Sequence, residues 1–139
     1  MKKTVFLVAT LLTVLFLLTS CDSGFTDINI MVPCDRFSAN NHLENDLQTK
    51  VGGISRIALC SNPTTGFQWE YSITDESVLK VVNHDFQEPE GDVLGEPGLE
   101  EWTFEAIGKG TTEVLMVYSR PWEGGEKEEW TYTLTVVVE

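Results

Sequence analysis

The chain has 139 residues, 42% of them hydrophobic, and carries 22 acidic against 9 basic side chains for a formal net charge of −13. A balance this acidic excludes nucleic-acid binding by phosphate neutralisation and docking on anionic lipid through a basic face. The length suits one domain with a real core, and electrostatic steering would favour basic partners.

Lys2 and Lys3 precede an apolar run from Val5 to Leu18 that only threonines interrupt. A basic n-region and an h-region of this length predict a signal peptide over residues 1–20, too short to be a comfortable membrane span. The run ends at Leu18-Thr19-Ser20-Cys21, small residues before a cysteine, as a lipoprotein signal peptidase accepts. Cys21 is thus the expected lipidation site, with an ordinary secretory signal as the alternative. The lipid would hold the mature chain on a bacterial cell envelope, at its periplasmic face or its surface. Cleavage removes Lys2 and Lys3 and no acid, leaving 7 basic and 22 acidic residues and a net charge of −15.

Residues 21–27 read as the lipidated cysteine and a short tether, and residues 28–139 as the folded domain. Ile28–Val32 is a first β-branched stretch, ended by Pro33. Cys34 and Cys60 form either a disulfide, which an oxidising compartment permits, or a pair of buried thiols. Phe37–Asp46 is polar and unpatterned and reads as a connection, followed by a short strand at Leu47–Val51 and a Gly52-Gly53 turn.

From there apolar residues recur every second position. Ile57 and Leu59 alternate with polar or small neighbours, as do Phe67, Trp69, Tyr71 and Ile73, then Trp102, Phe104 and Ala106. Thr112, Val114, Met116 and Tyr118 share one face, as do Trp130, Tyr132, Leu134, Val136 and Val138. Alternate side chains face opposite sides of a strand, so each run predicts a strand with one buried face. Val78–Val82 is a shorter candidate. No segment shows a helical period, and about seven or eight short strands predict an all-β, antiparallel, immunoglobulin-like sandwich.

Three inter-strand segments exceed what turns require. Asn62-Pro63-Thr64-Thr65-Gly66-Phe67 combines a fixed φ, a permissive glycine and side chains that bond local backbone, so it is either a stiff binding loop or a plain structural turn. Gly91–Gly98 follows Asp85, Glu88 and Glu90. With Asp92 these could suggest calcium, but the spacing lacks the fixed glycine and terminal glutamate, and a solvated acidic loop explains it better. Ser119–Gly125 carries Arg120-Pro121-Trp122 beyond the strand ends. Its Trp either stays exposed, as binding hot spots often do, or folds back over the sandwich.

His42 and His84 lie near no recognisable nucleophile or metal motif, so neither catalysis nor a cofactor is indicated. A surface adhesion or carbohydrate-binding sandwich would suit the architecture, but it leaves unexplained why the first and third loops occur together.

Taken together, Asn62 to Phe67, Gly95 and Gly98 before Trp102, and Arg120-Pro121-Trp122 resemble the chagasin family of cysteine-peptidase inhibitors over residues 50–139. The family usually has Gly-x-Gly-Gly where this chain reads Gly95-Glu96-Pro97-Gly98, and Pro97 has no N–H to donate. The resemblance implies a monomeric, noncovalent inhibitor whose three loops enter the cleft of a papain-like protease. Pro63, Thr64 and Thr65 would cover the catalytic cysteine, with the other two loops gripping on either side.

Overall fold

The computed structural model describes residues 27–91 and 93–139; the expected signal peptide, Cys21 with its tether, and Asp92 of the acidic loop lie outside the described residues. Eight strands carry the regular structure: β1 (Asp27–Val32), β2 (His42–Thr49), β3 (Ile54–Ser61), β4 (Gln68–Ile73), β5 (Leu79–Gln87), β6 (Gly98–Ala106), β7 (Gly110–Ser119) and β8 (Trp130–Val138). A six-residue helix, α1 (Cys34–Ala39), joins the first two. The strands form two four-stranded sheets, ordered β1-β3-β6-β5 and β2-β8-β7-β4. This is the expected immunoglobulin-like sandwich.

Period-2 patterning explains what fills it. Ile57 and Leu59, Trp102 and Phe104, Val114 and Met116, and Tyr132, Leu134 and Val136 are all buried between the sheets. Each such side chain contributes roughly 1.5–3 kcal/mol by leaving water. The strands at the sheet edges break the pattern. On β4, an edge strand, Trp69 is buried but Tyr71 is exposed.

Three expectations need correction. Residues 37–46 are not a connection: Phe37 belongs to α1 and is buried, and β2 already begins at His42. β2 is an edge strand, and its residues Glu44, Asn45 and Asp46 face solvent, so almost no apolar alternation marks it. The strand expected at Val78–Val82 runs as Leu79–Gln87, with a register irregularity between Val81 and Asn83. The sheets are not wholly antiparallel, because β1 pairs parallel to β3 and β2 parallel to β8. Such pairs need a crossover connection, and α1 lies in the one that carries the chain from the first sheet to the second.

Register fixes which connections share an end. Ser61 pairs with Gly98, Gln68 with Ser119, and Tyr118 with Trp130. The segments 62–67, 88–97 and 120–129 therefore all emerge at one end of the sandwich. Asp27 pairs with Ile54 and Val138 with Gly110, both at the opposite end. Eight residues of β3 separate the two ends by about 23 Å.

Candidate functional site

The first loop is a single turn of 3-10 helix, Pro63–Thr65, closed by Gly66 at φ 80°. Asn62 organises it. Its side-chain oxygen accepts from the Thr64 N–H at 3.3 Å and from the Thr64 hydroxyl at 2.6 Å. Its carbonyl accepts from the Thr65 N–H at 3.1 Å and the Thr65 hydroxyl at 2.6 Å. Beneath the loop, the Asn62 N–H donates to the Tyr118 hydroxyl at 2.8 Å. Local bonds of this kind take the place of a ladder and hold the turn without burying it. Pro63, Thr64 and Thr65 remain exposed at the tip.

The same Asn62 reaches the second loop, its Nδ2 donating to the Gly95 carbonyl at 2.8 Å. Gly95 has φ 83°, and the Glu96 N–H bonds the Val93 carbonyl at 3.3 Å, so Val93–Glu96 is a type II turn with glycine at its required position. Gly98 is different. It is the first residue of β6, buried, and a Cβ there would stand 2.3 Å from the Gln87 carbonyl oxygen. Its lack of a side chain serves strand packing and places it below the exposed tip.

The third loop is tied down by Arg120. The Nε donates to the Thr65 carbonyl at 3.3 Å, and the guanidinium lies over the Phe67 ring, 4.4 Å from its centroid. Cation–π stacking of this kind adds roughly 0.5–1 kcal/mol at an exposed site. Lys127 Nζ donates to the Arg120 carbonyl and, at 3.1 Å, to the Trp122 carbonyl. Trp122 is 51% exposed. Its ring neither projects freely nor folds into the core but rests against Gly66 of the first loop.

An aromatic stack supports the whole edge. Phe67 packs on Tyr118 at 5.1 Å, Tyr118 on Trp130 at 4.9 Å, and Trp130 on Phe37 at 4.9 Å. Trp69 leans on Tyr118 and donates its indole N–H to the Cys60 carbonyl at 2.9 Å. Of the two alternatives for the cysteines the disulfide is present, with Cys34 and Cys60 Cα atoms 5.0 Å apart. It fastens α1 two residues before Asn62. Below the third loop, Glu129 has its carboxyl pushed above the usual carboxylate range, by burial first and then by the neighbouring Glu126, with Arg120 pulling partly back.

The structure thus brings Asn62, Pro63, Thr64, Thr65, Gly66, Phe67, Gly95, Arg120, Pro121 and Trp122 to one end. Among them Asn62, Phe67 and Arg120 are held in internal contacts, while Pro63, Thr64, Thr65, Pro121 and Trp122 face outward. Sequence reasoning missed Val93 and Leu94, which are 70% and 100% exposed on the second loop. Aliphatic residues inside a glycine-rich, acidic segment carry no periodic signal.

Comparison with known proteins finds relatives in sequence and in fold. The profile of the Chagasin family peptidase inhibitor matches residues 48–136. Chagasin of Trypanosoma cruzi is 34% identical over 93 residues, covering 63% of this chain and 84% of that protein. Amoebiasin-2 of Entamoeba histolytica is 29% identical over 126 residues, 89% of this chain and 96% of the other. The crystal structure of a cysteine protease inhibitor from Entamoeba histolytica superposes with a TM-score of 0.65 at 22% identity, covering 81% of this chain and 97% of that one.

Proposed function

The chain belongs to the chagasin family of cysteine-peptidase inhibitors, and from that premise we propose that its three joined loops plug the active-site cleft of a papain-like protease, reversibly and without covalent chemistry. One observation carries the reading: Asn62 bonds Gly95 on the second loop while Arg120 of the third bonds Thr65, so three separate segments form a single edge. An edge held in advance loses little conformational freedom on binding, and this converts ordinary contact area into affinity. Protease–inhibitor pairs owe their tight binding to surfaces of this rigid, standard-sized kind.

In this arrangement Pro63, Thr64 and Thr65 lie across the catalytic cysteine and exclude substrate. Trp122 packs on an apolar surface beside the cleft. Family membership makes the chain an inhibitor, not an enzyme.

The lipid anchor forms part of the same proposal. Leu18-Thr19-Ser20-Cys21 supports lipidation at Cys21, and Asp27 leaves the domain at the end opposite the loops. A tether attached there would direct the inhibitory edge away from the membrane. Titration of papain with residues 22–139 tests the inhibitory reading: stoichiometric, reversible loss of activity is expected, and full activity at micromolar protein would overturn it.

A further inference from the structure

The disulfide lies at the foot of the loops, within reach of solvent. Cys60 is 1% exposed, whereas Cys34 is only partly buried. Cys34 lines two cavities that open to the surface. One, of about 480 Å³, it shares with Met31, Pro89 and Pro97. The other, of about 240 Å³, also has Cys60 in its wall, and all three loops contribute to it. Asn62 and Thr65 come from the first, Pro97 from the second and Glu129 from the third.

What the bond holds is the support of those loops. Its Cys60 half stands two residues before Asn62, and the Cys60 carbonyl accepts the Trp69 indole N–H at 2.9 Å. Its Cys34 half begins α1, whose Phe37 stacks on Trp130 at 4.9 Å and leans on Trp69 at 5.5 Å. The stack continues through Tyr118, whose hydroxyl holds the Asn62 N–H, to Phe67 beneath Arg120. Ile57, Phe104, Val114 and Leu134 are buried farther along the strands, toward the opposite end. Cutting the bond therefore frees α1 and the loop feet while the sheets keep their core.

We propose that the Cys34–Cys60 disulfide is a redox gate on protease binding: a dithiol reductant opens it and loosens the edge, while a bound protease keeps it closed. The gate rests on the three-loop plug proposed above. A thiolate of the dithiol attacks the Cys34 sulfur, forms a mixed disulfide and expels Cys60 as a thiolate. The second thiolate of the dithiol then displaces Cys34 and closes into its own disulfide. Two electrons pass from the dithiol to the protein, and the two protons the dithiol gives up end on Cys34 and Cys60. Binding and reduction are then linked, and the linkage is reciprocal. If opening the bond weakens protease binding tenfold, the protease makes the bond tenfold harder to open, about 30 mV for a two-electron couple. A papain-like protease acts through a reduced cysteine, so reducing conditions arm the enzyme and disarm the inhibitor together.

The test uses residues 22–139 and a papain-like protease with alanine in place of its nucleophile, so that reductant leaves the enzyme's own site unchanged. Calorimetry gives the affinity of the oxidised chain, of the chain reduced with dithiothreitol, and of Cys34→Ser with Cys60→Ser. Reduction and double substitution should each weaken binding at least about tenfold, with far-UV circular dichroism unchanged at the assay temperature. A second measurement needs no variant. The parent is equilibrated in dithiothreitol of graded reduced-to-oxidised ratio, with and without protease in excess of both dissociation constants, and the open fraction is read by alkylation and mass. Bound protease should raise the midpoint ratio at least about tenfold. Equal affinity in the two redox states, or a midpoint that ignores the protease, would overturn the gate and leave the plug intact. A reduced chain that has lost its sheets would replace a local gate by global unfolding and overturn it too. An oxidised parent that binds no papain-like protease would overturn plug and gate together.

Discussion

Gly66 lies directly beneath the indole of Trp122: a Cβ built on it would come 2.5 Å from the ring's Cη2. Its φ of 80° independently disfavours any side chain. Gly66→Ala therefore meets two obstacles, backbone strain of about 1–2 kcal/mol and displacement of the ring. The expected outcome is lower thermal stability together with weaker inhibition. A melting curve and an inhibition titration unchanged from the parent would show that the ring does not need this seat.

Trp122→Ala addresses the ring itself. Being half exposed, it contributes little to the core, so the domain should melt as the parent does. Inhibition of a papain-like protease should weaken by at least ~1 kcal/mol, as truncation of an aromatic anchor does. Equal inhibition constants would remove Trp122 from the interface.

Asn62 performs two tasks that substitution can separate. Asn62→Asp keeps the oxygen that accepts from Thr64 but places a carboxylate against the Gly95 carbonyl, losing the bond between loops. Asn62→Ala loses both. The aspartate variant should inhibit less well with nearly parental melting, whereas the alanine variant should also lose about 0.5–2 kcal/mol of stability, as lost caps do. Parental inhibition by Asn62→Asp would mean the first two loops do not need to be joined.

The disulfide can be removed by Cys34→Ser with Cys60→Ser. Closing a span of 26 residues, it should contribute about 2–4 kcal/mol, read as a fall in the denaturant midpoint. Reducing the parent with dithiothreitol should reproduce most of the loss. A midpoint that does not move would show that α1 is held by Phe37 packing alone.

Glu129 gives a pH dependence with a defined sign. Its folded pKa lies above the unfolded value, so the folded state binds the proton first as pH falls. Stability should rise as pH drops from neutral through that raised value, and the gain should level off at the ordinary glutamate range. Glu129→Gln should flatten this part of the melting-against-pH curve. A variant that keeps the parental slope would assign it to another group.

Much of the fold was legible because its central strands are half-buried and say so. Trp102, Phe104 and Ala106, or Tyr132, Leu134 and Val136, alternate with residues that tolerate water, and each run lies where its period places it. The edges were not legible. β2 turns Glu44, Asn45 and Asp46 to solvent and needs only Leu47 and Thr49 buried, so its sequence resembles a loop. α1 is too short to show a helical period, and its single buried aromatic, Phe37, gives no pattern. The three loops stood out by their residue types, but that they form one site was legible only through family resemblance. The bond from Asn62 to Gly95 spans 33 positions, and that from Arg120 to Thr65 spans 55. Neither distance leaves a trace in local spacing.

Asp27 and Glu139 both leave the sandwich at the pole farthest from Trp122, with Glu139 bonded to the Thr49 carbonyl there. Either terminus can accordingly be joined to a bead, a carrier domain or a second copy of the sandwich, and the loops stay uncovered. Two copies joined through that pole would face outward in different directions, each free to engage its own enzyme.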